Sequence, residues 1–314
     1  MALKVVEEWV NACAGCEISI LNMGDALIDL FPQLDFVHIP MLMDHKHYGQ
    51  LGEKDVMDIP EADVGIITGA VRNEEHKHVA EEMRKKCKTI IALGSCATHG
   101  GIPAQANMFQ KQDILEEIYG NSKTTTPSDI PSQNVPPWLD RVYAVDEVIK
   151  VDILVPGCPP HPVCIQDVIK DLLEGKTEWK LPERSVCDTC PTIREKKAIA
   201  GVVKRCFENL AFNPEEGPDK MRCINEQGFF CMGPVTLAGC AGRTGVPRCI
   251  AARMPCRGCF GPIRKGANPM VDMMGAMTSI GLDAKTLADR RAMLNRFIGA
   301  HNMLRPLPAR PPRR

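Results

Sequence analysis

The chain has 314 residues, of which 44% are hydrophobic and 25% are charged, so it can bury about two ordinary hydrophobic cores and stay soluble. Its 38 basic and 39 acidic residues leave a formal net charge of −1, which argues against a general nucleic-acid-binding protein. No apolar run reaches the roughly 18 residues of a membrane span and no signal-peptide-like run opens the chain, so we expect a cytoplasmic protein.

Short apolar runs alternate with helix-like stretches through the first half of the chain. Strands are predicted at residues 4–9, 35–39, 64–68, 89–93 and 151–155, and helices at residues 18–30, 77–86 and 114–119. This alternation is typical of a parallel sheet covered by helices on both faces. A polar, proline-rich stretch at residues 123–137 predicts a long surface loop before the last strand.

The composition changes between about residue 185 and residue 263, where nine cysteines fall among glycine- and proline-rich turns. Such a segment buries little apolar surface, so we expect metal centres to stabilise its fold. One amphipathic helix is predicted in it, at residues 193–210. Further on, a helix is predicted at residues 285–303, with Leu287, Leu294, Phe297 and Ile298 on one face. The basic, proline-rich end is either a solvated tail or a partner-docking arm.

The chain contains 15 cysteines, which in a reducing compartment indicate metal ligands before disulfides. Three Cys-x-x-Cys pairs occur, and a two-residue gap lets a tight turn aim both thiolates at one metal centre. One such pair also arises in redox motifs or by chance, whereas three pairs with further single cysteines favour metal binding. The pairs are Cys13 and Cys16, Cys187 and Cys190, and Cys256 and Cys259.

Four cysteines follow predicted strands at the point where each strand ends. Cys13 and Cys16 come after the first strand, Cys96 after the strand at residues 89–93, and Cys158 after the strand at residues 151–155. The carboxyl ends of parallel strands form one crevice, where ligands bind. We therefore expect these four thiolates to converge on one cluster.

Five sequence blocks carry a resemblance to a known family. They are Cys13-Ala-Gly-Cys16, Gly94-Ser-Cys96-Ala, Gly157-Cys158-Pro-Pro, Gly233-Pro-Val-Thr236 followed by Cys240, and Pro255-Cys256-Arg-Gly-Cys259. In this order they resemble the small, electron-transferring subunit of [NiFe] hydrogenases. Within the family the chain is most like the gamma subunit of the methanogen enzymes that reduce viologen dyes but not the deazaflavin coenzyme.

The resemblance implies a flavodoxin-like parallel sheet domain at residues 1–180, an irregular, cysteine-rich iron–sulfur domain at residues 181–265, and a helical extension with a basic tail at residues 266–314. It also implies three [4Fe-4S] clusters. Their ligands would be Cys13, Cys16, Cys96 and Cys158 (proximal), Cys240, Cys249, Cys256 and Cys259 (medial), and Cys187, Cys190, Cys223 and Cys231 (distal). The remaining cysteines, Cys87, Cys164 and Cys206, are expected to be small core residues.

The chain departs from the periplasmic members of this family at three positions. Cys187 stands where they have a His, and Cys249 where they have a Pro that leaves a three-iron medial cluster, so we expect three four-iron centres suited to low-potential acceptors. Their Glu two residues after the second Cys is absent, because Glu17 follows Cys16 directly. Glu17 is therefore interpreted as a helix N-terminal residue rather than as part of a proton path.

The resemblance implies an electron-relay subunit with no catalytic residue of its own. The Ni–Fe centre would be held by a separate large subunit, and the electrons would pass to an iron–sulfur adaptor and a heterodisulfide reductase, where they bifurcate in methanogenesis. A flavin subunit that reduces the deazaflavin coenzyme is the competing destination. No nucleic acid and no membrane are expected among the partners.

The sequence leaves open two alternative functions and the roles of four histidines. A complex I-type subunit would share the sheet domain but lack the cysteine-rich segment, and a zinc-stabilised interaction protein would need thiols closer in sequence than these. His45 and His47 form either a solvated or partner-contacting loop or, less favoured, metal ligands. His99 and His161 either pack in loops or donate to cluster sulfurs.

Overall fold

We describe a computed structural model of the chain that covers residues 2–49, 53–124, 126–204 and 209–308. The strands of this part are β1 Leu3–Trp9, β2 Leu34–His38, β3 Ala62–Thr68, β4 Val71–Asn73, β5 Cys87–Leu93, β6 Trp138–Tyr143 and β7 Ile153–Val155. Five of them form a parallel sheet in the order β2-β1-β3-β5-β7, which is the flavodoxin-like order when these five are counted along the chain. The fold class predicted from the sequence is confirmed. The antiparallel pair of β4 and β6 was not predicted.

The helices of the described residues are mostly short. They are α1 Gly15–Leu21, α2 Asp25–Leu30, α3 Glu74–Lys86, α4 Ser95–His99, α5 Lys111–Leu115, α6 Pro162–Leu173, α7 Val186–Thr189, α8 Arg248–Ala251, α9 Pro269–Ser279 and α10 Arg290–Leu294. Single 3₁₀ or π turns occur at Phe31–Gln33, Pro103–Met108, Glu116–Gly120, Val145–Glu147, Pro218–Lys220, Gly233–Val235, Gly242–Thr244 and Ala284–Thr286. None of these helices is long and apolar enough to cross a bilayer.

Both faces of the parallel sheet are buried, because β-branched and aliphatic residues occupy successive positions rather than alternate ones. Val79 and Met83 of α3 cover one face, and Ile165 and Val168 of α6 contribute to the core on the other. Fully burying a side chain of this kind contributes about 1.5–3 kcal/mol. Phe260, from the cysteine-rich part, is buried in the second of these cores, so the two parts pack together.

The cysteine-rich part has little regular structure, as its composition predicts. A separate core lies beneath it, to which Met273 and Met277 of α9 and Leu294 of α10 contribute. The predicted amphipathic helix at residues 193–210 is wrong for the residues described there. The amide of Ile193 donates to the carbonyl of Met221, and that of Lys204 to Gly228. The backbone of this segment is therefore paired with a neighbouring segment instead of with itself.

Two other predicted helices are shorter than expected. In residues 18–30, Gly24 takes a positive φ of 58° and separates α1 from α2. In residues 285–303 only α10 is α-helical, because Asp289 is left-handed at its start (φ 48°) and Asn295 ends it. The four apolar residues predicted on one helix face are nevertheless all buried.

Candidate metal centres

Four cysteines lie together at the carboxyl ends of three parallel strands, and we name them the proximal group. Cys13 and Cys16 follow β1, Cys96 lies in α4 after β5, and Cys158 follows β7. The Cys16 thiol interacts electrostatically with the other three, and the Cys96 thiol with those of Cys13 and Cys158. The structure thus brings together, at one sheet edge, thiols that are far apart in sequence.

Glycines give the proximal thiols the room they need. Gly94 joins β5 to α4 with a φ of 91°, and a Cβ at this position would clash with the Sγ of Cys16. A Cβ on Gly101 would lie 2.5 Å from the Sγ of Cys96. Any larger residue at either position would displace a thiol of the group.

A second set of cysteines, the distal group, surrounds a glycine in the cysteine-rich part. The Cys187 thiol interacts electrostatically with those of Cys190 and Cys223, and the Cys231 thiol with those of Cys187 and Cys223. A Cβ on Gly233 would lie 3.1 Å from the Sγ of Cys187 and 3.7 Å from that of Cys231. The absence of a side chain at Gly233 therefore keeps the space between these thiols open.

The third set, the medial group, lies between the other two. The Cys259 thiol interacts electrostatically with those of Cys249 and Cys240, and the Cys256 thiol with that of Cys259. Cys249 stands in the first turn of α8. Backbone hydrogen bonding from Arg248 reaches the Cys240 thiol. The resemblance assigns these four thiols to one centre, and the Cys256 thiol also interacts electrostatically with that of Cys231 in the distal group.

Direct contacts connect the three groups in series. The backbone amide of Cys158 in the proximal group is hydrogen bonded to the Cys259 thiol of the medial group. The backbone amide of Cys256 in the medial group donates to the Sγ of Cys231 in the distal group, at 3.3 Å. The Ser95 hydroxyl, next to Cys96, donates to the carbonyl of Cys259. The order along the molecule is therefore proximal, medial, distal.

The donor set and its surroundings fit iron–sulfur clusters. Burial and the neighbouring thiols raise the pKa of Cys96, Cys187 and Cys259 to about 12 each. Buried thiolates therefore need a compensating positive charge, which bound metal supplies. Four thiolates per centre are the usual ligands of a [4Fe-4S] cluster.

The spacing of the thiols is wider than a single zinc ion requires. Two sulfurs on one tetrahedral zinc lie about 3.8 Å apart, given Zn–S bonds of about 2.3 Å. Among the described residues, no three thiols have all their sulfurs within 4.8 Å of one another. A polynuclear cluster fits this spacing better than one ion does.

Of the cysteines left over by the resemblance, the structure describes two, and the Cys164 thiol interacts electrostatically with that of Cys240 in the medial group. Cys87 and Cys164 are buried in the cores on the two faces of the sheet. Burial raises the pKa of Cys87 to about 11 and that of Cys164 to about 12, so both stay protonated at neutral pH. Cys206 lies outside the described residues.

Two buried carboxyl groups lie beside the proximal group. Glu17 occupies the first turn of α1, as interpreted from the sequence, but its side chain is buried and is hydrogen bonded to the Thr68 hydroxyl. The same hydroxyl lies 3.3 Å from Oε1 of Glu7. Burial and the nearby Glu17 raise the pKa of Glu7 to about 9, so Glu7 is neutral at physiological pH.

The two histidines singled out beside proximal ligands have packing roles in the structure. His161 precedes α6 and its Nδ1 accepts a hydrogen bond from the amide of Val163 at 3.1 Å, which caps the helix. His99 is half-buried beside Gly261, and its removal from water lowers its pKa to about 4. The packing interpretation accounts for the contacts that both side chains make.

A cluster that sequence analysis missed lies on the opposite face of β1 from Glu7. The carboxylate of Glu8 is 2.7 Å from Nε2 of His38 and 2.9 Å from Nε2 of His47. From the sequence, His47 is a less favoured metal ligand together with His45, whereas Glu8 and His38 fall in predicted strands. Because adjacent strand residues face opposite sides, the alternation of β1 could have singled out Glu8.

The sheet domain matches a family described as NADH ubiquinone oxidoreductase, 20 Kd subunit, over residues 13–172. The chain is also 37% identical over 298 residues to one subunit of the F420-non-reducing hydrogenase (vhu) of Methanocaldococcus jannaschii, and that match covers 95% of each chain. The chain belongs to the small-subunit family of [NiFe] hydrogenases. As a hydrogenase small subunit it is a non-catalytic, electron-relay subunit of an oxidoreductase that acts on hydrogen.

Other relatives agree with this placement of the hydrogenase small subunit. One subunit of the F420-non-reducing hydrogenase of Methanothermobacter marburgensis is 37% identical over 280 residues, which are 88% of this chain and 84% of that one. An NAD+-reducing [NiFe]-hydrogenase structure aligns with a TM-score of 0.51 and 26% identity over 58% of this chain and 97% of that one. The hydrogenase match extends through the cysteine-rich part, which separates this chain from complex I-type subunits that share only the sheet domain.

A further structure agrees at the level of the fold. The Ni-Fe-Se hydrogenase of Desulfomicrobium baculatum aligns with a TM-score of 0.51 and 18% identity, covering 90% of this chain and all of that one. The sheet domain and the cysteine-rich part are therefore arranged as in a hydrogenase small subunit.

Proposed function

We propose that this subunit carries electrons from hydrogen oxidation at a large subunit through three [4Fe-4S] clusters, held by the proximal, medial and distal groups. The observation that carries the proposal is the continuity of the groups. The backbone amide of Cys158 in the proximal group contacts a medial thiol, and that of Cys256 in the medial group contacts a distal thiol. Neighbouring groups are therefore in direct contact.

The clusters, when bound, supply one-electron carriers at three points along the molecule. The chain's own part is to hold four thiolates around each and to keep water away from them. Cys231 and Cys256, at the junction of the medial and distal groups, are buried. Full thiolate ligation, without the His that raises the potential of other centres, suits low-potential acceptors.

The proximal group is the end that faces the large subunit. Cys13 and Cys158 are exposed, whereas all the other described cysteines are at least partly buried. Exposed apolar side chains lie on α1 close to these thiols, with Ile18 at 55% and Leu21 at 52% of full exposure. A docked large subunit that holds the Ni–Fe centre would cover this apolar surface.

The destination of the electrons rests on the named relatives. Several are F420-non-reducing hydrogenase subunits, which favours an acceptor other than the deazaflavin coenzyme. We place downstream an iron–sulfur adaptor and a heterodisulfide reductase, in an electron-bifurcating complex of methanogenesis.

The 14 described cysteines are all free thiols, in keeping with a cytoplasmic location. The three modules are residues 1–180, 181–265 and 266–314.

The decisive experiment measures iron, acid-labile sulfide and zinc, together with EPR, in anaerobically purified subunit. We expect about twelve irons and twelve sulfides per chain, from three four-iron clusters, with reducible EPR signals. Stoichiometric zinc without labile sulfide would replace the relay with a structural scaffold. About four irons would retain only the proximal centre and remove the proposed path through the cysteine-rich part.

A further inference from the structure

The Glu8, His38 and His47 cluster is not part of any thiol group and has no role in the proposed relay. Glu8 lies on β1, His38 ends β2 and His47 lies in the loop that follows β2, so three separate segments bring their polar atoms to one point. Oε1 of Glu8 is within 2.9 Å of both Nε2 atoms, and Oε2 is also 2.9 Å from Nε2 of His47. In the described part of the chain, only these three potential ligands have all their donor atoms within 4.8 Å of one another.

From this convergence we propose that Glu8, His38 and His47 bind one divalent transition-metal ion, of which Zn²⁺ is the representative. Two imidazoles and one carboxylate are a usual protein ligand set for zinc, with the fourth position open to water or another group. In the hydrogen-bonded arrangement of the structure, the imidazole protons occupy the space that the ion would take.

The distances require only a small adjustment. Ligands about 2.0–2.1 Å from a tetrahedral ion are about 3.3 Å apart, roughly half an ångström more than the distances of 2.7 and 2.9 Å from Oε1 of Glu8 to the two imidazole nitrogens. Small side-chain rotations supply this opening. The His47 side chain is 28% exposed, whereas those of Glu8 and His38 are 2% and 4% exposed, so the ion would enter past His47.

The charge around the cluster favours a cation. With neutral imidazoles, the buried Glu8 carboxylate leaves the cluster with a net negative charge. Glu75 interacts electrostatically with His47, which adds to the negative potential, whereas the Asp58 carboxylate near His38 is ion paired with Lys54. A divalent ion would neutralise this charge in a place where water is largely excluded.

His45 is close to the cluster but is not a ligand. Its ring stacks on His38 with the centroids 5.7 Å apart, and its Nδ1 accepts a hydrogen bond from the amide of Ile39 at 2.9 Å. A neutral imidazole that accepts at Nδ1 carries its proton on Nε2, so that nitrogen has no lone pair for a metal. His45 therefore offers a matched control in the same loop.

The site would fasten the loop between β2 and β3 to the sheet. The amide of Asp58 donates to the carbonyl of His47 at 2.7 Å, and the amide of Lys54 donates to the carbonyl of Tyr48 at 2.9 Å. A ligand bond at His47 would thus hold both sides of the loop against β1 and β2. Exposed Met41, Leu42 and Met43 lie in the same loop, so its position affects an apolar part of the surface.

The test uses the assembled hydrogenase complex with its clusters intact, treated with a mild chelator and then given one equivalent of Zn²⁺. Zinc content and the zinc X-ray absorption fine structure are compared for the wild type, His47→Gln and His45→Gln, at equal iron content. We expect the wild type and His45→Gln to take up one zinc with a nitrogen and oxygen shell at about 2.0–2.1 Å. His47→Gln should bind zinc more than about 100-fold more weakly. Losing a hydrogen-bond partner of a ligand costs up to about 100-fold, and losing a ligand itself should cost more.

Two results would overturn the site. Zinc bound through sulfur at about 2.3 Å would mean that cluster cysteines had taken it. Equal uptake by the wild type and His47→Gln, with the same shell, would mean that the ion binds elsewhere. The wild-type spectrum alone separates nitrogen from sulfur ligation, so the test holds even where a variant assembles poorly. The iron content, measured separately, reports on the thiol clusters, so a failure of the zinc site can be distinguished from a failure of the proposed clusters.

Discussion

Cys96 is the proximal residue whose loss should be most informative, because its thiol interacts with those of Cys13 and Cys158 across the sheet edge. We expect Cys96→Ala to lose about four irons, leaving the other two centres assembled. Hydrogen-driven dye reduction should then be abolished, since electrons leaving the large subunit would find no first carrier. Iron analysis and a dye assay on the assembled complex measure both effects.

Cys87→Ala is the matched control for this change. Cys87 is also buried, but its sulfur packs against Gly65 in the sheet core and away from the thiol groups. The substitution should cost about 1 kcal/mol of stability and leave iron content and dye reduction unchanged. Wild-type turnover in Cys96→Ala, or lost iron in Cys87→Ala, would contradict the proximal assignment.

Cys249 decides the type of the medial centre. It occupies the second position of α8, where a proline ring is accommodated because the first amides of a helix have no intrahelical acceptor. Cys249→Pro should therefore fold and remove one thiolate. We expect a three-iron medial cluster with a raised potential, seen as a new EPR signal of the oxidised protein. An unchanged EPR spectrum would show that Cys249 is not a ligand.

Sequence spacing alone was informative for the cysteines but not for the Glu8 cluster. Cys-x-x-Cys pairs and strand ends are local signals, and the thiols they indicated lie side by side in the structure. Glu8 and His38 carry no such signal. Each lies in a strand, and only the pairing of β1 with β2 brings them together. The grouping of residues through sheet register is not visible in a single sequence.

At the level of whole elements, strands were predicted better than helices. The parallel strands are apolar runs buried on both faces, and such runs have few alternative structures. Residues 193–204 also contain apolar residues at helical spacing, yet Ile199 and Val202 are exposed, at 66% and 57%. Metal centres, as proposed here, would stabilise the cysteine-rich part without an apolar helix face. Helix prediction relies on such a face.

Asn107 is one of several polar side chains that anchor the C-terminal segment to the sheet domain. Asn107 donates from its Nδ2 to the carbonyls of Val142 in β6 and Gly299, and its Oδ1 accepts from the Val142 amide at 2.8 Å. Nearby, the amide of Ala300 donates to the carbonyl of His99 at 3.1 Å. The segment therefore lies against α4, which carries Cys96.

We expect Asn107→Ala to destabilise this contact by about 2–4 kcal/mol, because it leaves buried backbone groups without partners. Hydrogen exchange by mass spectrometry should show faster exchange in peptides covering residues 298–304. Asn121→Ala, at an exposed position, is the control and should leave this exchange unchanged. Equal exchange in both variants would mean that the other contacts of the segment, such as those of His301 with Asp146 and Glu147, hold it without Asn107.

For the molecule as a whole, the order of the three groups is the property that defines a relay. The sheet domain alone supplies the proximal group, and the family match over residues 13–172 covers only that part. The medial and distal groups lie in the cysteine-rich part, which joins the sheet domain through Phe260 and the Cys158–Cys259 contact. One continuous series of thiol groups therefore crosses both parts of the chain.

Cys223→Ala tests the direction of this path. Its thiol belongs to the distal group and interacts with that of Cys190, far along the series from the proximal end. We expect the variant to lose about four irons, as Cys96→Ala does, but with a different consequence for the remaining centres. Hydrogen should still reduce the proximal and medial centres, seen by EPR, while delivery to the natural acceptor falls steeply. In Cys96→Ala hydrogen should reduce none of the remaining centres. If hydrogen failed to reduce the remaining centres in Cys223→Ala as well, the serial order inferred from the contacts would be wrong, because an end carrier cannot block those before it.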